Sequence, residues 1–180
     1  MNTSSTPSYL SSAAALSRVR EGVAGLLAGV TDCAVSLTPR LYASYLGTTT
    51  GRANMTSAEC GSADGKNVVD FGDLPSTEAA RNCFWYTTWP VHEVTEADIR
   101  FNSSQQEVTF YATDLPPSPC NGRYDLEGIA THETGHTFGL LDLDSSAHPN
   151  LTMRGQGLTD CSDEQRTLGL GDILGLNAMY

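Results

Sequence analysis

The chain predicts an α+β domain, and three observations carry that expectation. Apolar residues recur at helical spacing in the first thirty positions, around 126–137 and again over 170–179. Between the first two of these stretches lie short runs of β-branched and aromatic residues bounded by turn-forming residues. At 180 residues the length suits one domain with a sizeable core.

The elements follow in order. Residues 1–8 read as a flexible polar tail, and 9–180 as the single domain. A helix starts at Ser11 or Ser12, capped by serine, and its stripe is Leu16, Val19, Val23, Leu26, Leu27 and Val30. Gly29 and Thr31-Asp32 close it. Residues 33–37 alternate as a short strand and 41–46 as another or its continuation. The Thr- and Gly-rich stretch 47–66 reads as loop. Residues 67–71 and 83–88 read as strands around the turn Gly72-Asp73-Leu74-Pro75, and 98–101 with 107–112 as a hairpin across 102–106. A Pro-rich loop, 114–120, leads to a second helix with Asp125 as its N-cap. After Asp142 come a loop and an acidic stretch, 160–165. A terminal helix then starts near Leu170 or Gly171 and buries Ile173, Leu174, Leu176 and Met179.

The second helix carries His132-Glu133-Thr134-Gly135-His136, with Gly139 and Asp142 downstream. Four residues advance about 6 Å and turn about 40°, so both imidazoles leave one face and can meet one metal ion. Glu133 sits about 100° round from His132, placed to take a proton from a metal-bound water. A continuing helix would carry Asp142 about 9 Å beyond His136 and point it away. Gly139 accepts the left-handed conformation that ends helices, so the chain can return Asp142 as a third ligand. Two histidines, a carboxylate and an open position suit a catalytic zinc. His148 is the rival third ligand and Asp144 a weaker one. His92 reads as a surface strand residue, and Met153 as core unless it forms a turn beneath the metal. Trp89 and Arg154 are candidates to line substrate subsites.

Composition narrows the partners. Ten Lys and Arg against 21 Asp and Glu give a net charge of −11, which argues against nucleic acid and anionic membrane. No apolar run is long enough to span a membrane. Residues 1–7 have neither a basic n-region nor an apolar h-region, so the sequence reads as lacking a signal peptide. The five cysteines, Cys33, Cys60, Cys83, Cys120 and Cys161, form no C-x-x-C pair. In a secreted protein they read as two disulfides and one leftover thiol, with the pairing open.

The H-E-x-x-H-x-x-G-x-x-D run resembles that of the metzincin metallopeptidases, whose third ligand is usually histidine and in some members, such as the snapalysins, aspartate. The run from His148 to Met153 is similar to their methionine turn, 172–180 to the last matrixin helix, and 96–101 to a matrixin strand. The likeness covers about 96–180 well and the first half in outline. It implies a twisted, mostly parallel sheet with an antiparallel edge strand, an active-site helix and a C-terminal helix. It implies a secreted, monomeric zinc endopeptidase: zinc on His132, His136 and Asp142, Glu133 as general base, Met153 in the methionine turn, and Asp172 anchoring that turn. An extended protein or peptide substrate would pair with an edge strand, such as the one around 108–112. The strand before the first helix is cut short here, and residues 47–88 look like an insertion. The second, structural zinc of matrixins loses its histidine loop, and calcium sites do not carry over. The resemblance also suggests Cys120–Cys161, with Cys60–Cys83 closing the insertion and Cys33 left over. Two further readings use the same site: a narrow hydrolase of cell-wall peptide bridges, and an idle zinc-stabilised binding module.

Overall fold

Serine capping and a left-handed glycine bound the first helix, α1 (Ser12–Ala28). The Ser11 side chain accepts from the Ala14 N–H, and Gly29 closes the helix at φ 65°. Its buried residues, Ala15, Val19, Gly22 and Leu26, fall on one stripe. A Cβ on Gly22 would lie 2.5 Å from the Glu127 carbonyl oxygen, so α1 packs against α2 (Leu126–Thr137) too closely there for any side chain.

The computed structural model describes residues 1–90, 93–104, 108–155 and 159–180. After α1 come β1 (Val69–Gly72), β2 (Ala80–Thr87), β3 (Glu93–Asn102), β4 (Phe110–Tyr111), β5 (Tyr124–Asp125), α2 and α3 (Leu170–Met179). The main sheet has three strands in the order β1-β3-β2. β1 runs parallel to β3, with Phe71 opposite Phe101, and β2 runs antiparallel to β3, with Cys83 opposite Asp98. Among the described residues the fold is thus mixed α+β, with three α-helices and a small mixed sheet.

From Asp98 to Asn102, β3 is buried on both faces. Ile99 and Phe101 face the helices and join Phe71, Phe110, Leu126 and Ile129 in the main core, where the Phe71 and Phe101 rings lie 5.4 Å apart. Glu96, Asp98, Arg100 and Asn102 are buried as well, under the segment 52–68 and the residues leading into β2. Asp98 accepts from the Asn54 and Val68 N–H groups, and Glu96 from those of Asp64 and Gly65. Arg100 donates to the Met55 and Ala53 carbonyls and to Asp70, which also takes Arg52 at 2.9 Å. The Cys60–Cys83 disulfide fastens the same segment to β2.

Several expectations need correction. The main sheet is not mostly parallel, since it holds one parallel and one antiparallel pair; the antiparallel edge strand is present as β2. The strands expected at 33–37 and 41–46 do not form. The outer edge of β1, where one would pair, is taken by the N-terminal residues: Asn2 N–H donates to the Val69 carbonyl and Phe71 N–H to Ser5 Oγ. Val35, Leu37 and Leu41 instead pack beside Leu26, Leu168, Ile173 and Leu176. Residues 1–8 are accordingly not a free tail, because Met1 and Asn2 are buried and Thr3–Ser5 forms a 3-10 turn. The hairpin expected of 98–101 and 107–112 is absent among the described residues; β3 pairs with β1 and β2, and β4 with β5 in parallel. In α3 only Asp172, Ile173 and Leu176 are buried, while Leu174 and Met179 are half exposed. The Cys120–Cys161 and Cys60–Cys83 disulfides form and Cys33 is free. Among the described residues no helix is long and apolar enough to cross a membrane.

Candidate metal centre

α2 is fixed at both ends before its side chains are considered. At its start the Asp125 carboxylate caps Gly128 N–H at 3.0 Å and receives two hydrogen bonds from Arg166. At its end Gly139 takes φ 88° and the Leu140 N–H returns to the Gly135 carbonyl, so the helix stops there. Leu143 then pairs with Arg154 in an isolated parallel bridge, which brings Asp142 back over the helix.

The result is a close triangle. His132 Nε2 lies 3.1 Å from His136 Nε2, and Asp142 Oδ1 lies 3.2 Å and 3.5 Å from these two atoms. Nδ1 of His132 is 2.8 Å from the Thr152 carbonyl and Nδ1 of His136 is 2.9 Å from that of Leu140. A carbonyl can only accept, so both Nδ1 atoms carry hydrogen. Each Nε2 is left as a donor to Asp142 when protonated, or as a lone pair for a cation when not. Among the described residues these three form the group able to hold a metal ion, and neither His148 nor Asp144 joins it. The donor set fits a tetrahedral ion, since bonds of about 2.0–2.1 Å would set ligand atoms about 3.3 Å apart.

Charge and burial act together here. Burial alone would pull both histidines down, but the Asp142 carboxylate and Glu133 more than offset it, and both stand above the ordinary histidine value. Hydrogen bonds from His132 and His136 hold Asp142 well below the usual carboxylate range. Burial pushes the Glu133 carboxyl up, against the pull of the two imidazoles. Glu133 stands outside the triangle, buried beside it, and its own carbonyl accepts from Asn82 Nδ2 on β2.

Compared with protein-family models and with curated proteins, the chain matches none.

Met153, 1% exposed, packs against α2 at Gly135. It fits because residue 135 is glycine; a Cβ there would collide with the Met153 Sδ. Asp172 holds this turn from below, accepting from Thr152 N–H at 2.7 Å and Met153 N–H at 3.4 Å, and from Gly169 N–H at 3.0 Å. The Thr152 N–H and the carbonyl that orients His132 thus belong to one anchored residue. The triangle opens on a cleft of about 360 Å³, walled by residues 77–82 and Phe84 on one side and by Ile129 and Gly155 on the others. A larger cavity of about 780 Å³ lies between the sheet and the C-terminal end of α2, and holds none of the triangle.

Other candidates fall elsewhere. The strand along the cleft is β2, whereas Val108, Phe110 and Tyr111 are buried in the body. Trp89 is exposed and Arg154 is buried on the Pro149 carbonyl and Thr159; neither lines the cleft. His92 lies outside the described residues. Sequence reasoning missed Arg166, Asn82, Gly135 and Gly155. Gly135 carried a signal, standing between the two histidines where a helix former would otherwise be expected. The others act through contacts across the fold and left no local pattern.

Proposed function

We propose that the chain is a zinc-dependent endopeptidase of the metzincin type, working outside the cell on protein or peptide substrates. The convergence of His132, His136 and Asp142, with Glu133 buried beside them, is the observation that carries this reading. The two disulfides agree with an oxidising compartment. Zinc, when bound, supplies Lewis acidity that lowers the pKa of a water and polarises a carbonyl.

His132, His136 and Asp142 would hold that ion and present its open side to the cleft. The Thr152 and Leu140 carbonyls fix the tautomer of each ligand histidine, which keeps both Nε2 lone pairs available. Glu133 takes the proton of the attacking water and delivers it to the nitrogen of the leaving amine as the C–N bond breaks. Its raised pKa makes it a stronger base than an exposed glutamate. β2 offers the backbone against which an extended substrate would lie, in place of the strand around 108–112.

The decisive experiment pairs metal analysis with casein digestion. Wild-type protein should carry about one zinc and lose activity to a chelator. Glu133→Gln should keep the zinc and lose roughly 10²-fold or more in kcat. Substantial turnover by the Gln variant would remove Glu133 from the mechanism, and no turnover by zinc-loaded wild type would leave a binding module.

A further inference from the structure

We propose that Gly155 is the positioning residue for the third ligand: its missing side chain is the space that Asp142 occupies. The inference rests on the metal reading of the His132, His136 and Asp142 triangle.

The observation is steric. A Cβ on residue 155 would lie 2.7 Å from Asp142 Cβ, 2.7 Å from its Cγ and 2.8 Å from its Oδ1. Cβ is rooted in the backbone, so rotating the carboxylate away does not relieve the contact. The backbone at 142 cannot retreat freely either. Leu143 N–H donates to the Met153 carbonyl at 2.8 Å, and Gly155 N–H donates back to the Leu143 carbonyl at 3.0 Å. Those two bonds zip the segment bearing Asp142 onto the segment bearing Met153, with Gly155 at the point of contact.

The requirement is for absent atoms and not for an unusual backbone. The φ of Gly155 lies outside the left-handed region, unlike that of Gly139 at 88°, so alanine is compatible with its backbone. An added methyl therefore acts on Asp142 first. It shifts Oδ1 from a place 3.2 Å from His132 Nε2 and 3.5 Å from His136 Nε2, and the triangle opens. Gly135 and Gly155 thus divide the work: the first admits Met153 against α2, the second admits the carboxylate beside the histidines.

The test is a two-by-two set: wild type, Gly155→Ala, Asp142→Gly and the double variant, with zinc titrated against a chromophoric chelator. Asp142→Gly removes all three atoms that the new methyl would meet. We expect Gly155→Ala to weaken zinc at least tenfold and to alter the visible spectrum of the cobalt(II) protein, which reports the ligand set. In the Asp142→Gly background the same change should alter zinc affinity less than twofold. Equal losses in both backgrounds, or wild-type affinity in Gly155→Ala, overturn the proposal. If Gly155→Ala does not fold, the double variant decides: folding like Asp142→Gly supports the proposal, and failing alongside Gly155→Ala overturns it. Absence of zinc from wild type, or wild-type affinity in Asp142→Gly, would instead overturn the ligand assignment itself.

Discussion

Protons and a bound cation would compete for the same two nitrogens in this site, His132 Nε2 and His136 Nε2. Both imidazoles stand above the ordinary histidine value because Asp142 and Glu133 outweigh the effect of burial. A group with a raised pKa holds its proton to higher pH, so the protonated form, which cannot bind metal, persists past about pH 6.5. Apparent zinc affinity should therefore rise with pH through and above that value, by as much as about a hundredfold per unit where both histidines must lose a proton. In the metal-free protein the linkage runs the other way. The histidines contribute stability that is full below their unfolded pKa and is lost as pH rises through the folded one. Asp142, with its depressed pKa, contributes stability that is lost as pH falls. Zinc competition titrations from pH 5 to 8 check the first claim; a flat profile would mean that these imidazoles are not the ligands.

The turn at Thr152-Met153 and the start of α3 are tied together because Asp172 is shared between them. Its carboxylate, 2% exposed, satisfies Thr152, Met153 and Gly169 N–H groups at once. Asp172→Ala leaves at least two buried N–H groups without an acceptor and should cost about 2–5 kcal/mol, read as a shift in the urea midpoint. Asp172→Asn should cost less than half as much, since its amide oxygen can take the place of Oδ2. Equal losses would mean that the charge, and not the acceptor geometry, holds the turn. At this scale the sequence was unevenly legible. The Ser11 and Asp125 caps and the Gly139 stop are local chemistry, and each lies where the residues implied. The strands expected at 33–37 and 41–46 do not form: alternation reports a surface, not whether a neighbouring edge is free to pair. β3 hid its environment for a related reason: Glu96, Asp98 and Arg100 alternate with apolar residues like a solvent face, yet all three are buried. The triangle could be anticipated because a turn after a helix fixes where the next few residues go; Gly155 could not, because its partner is another side chain.

For the molecule as a whole, the proposed ion joins α2 to the segment that carries Asp142 and should stabilise the native state by mass action. Free zinc at about a hundred times its Kd contributes about 2.7 kcal/mol. For a domain of this size that corresponds to about 5–10 °C in Tm. Thermal unfolding with and without chelator should show that difference in wild type and lose it in His136→Ala. An undiminished chelator effect in the variant would place the stabilising metal elsewhere.

The double burial of β3 carries a consequence for how this chain can vary. The segment 52–68 is not a decoration on a finished domain, because Asp70, Glu96, Asp98 and Arg100 have their partners in it or among themselves. A shortened version that dropped the segment would remove the backbone partners of Asp98, Glu96 and Arg100 and the disulfide partner of Cys83, and would leave that face of the sheet to water. Length and sequence are therefore linked in one direction: a descendant that keeps the loop must keep hydrogen-bonding residues at 70, 96, 98 and 100 to satisfy its backbone, whereas one that loses it returns those charges to water.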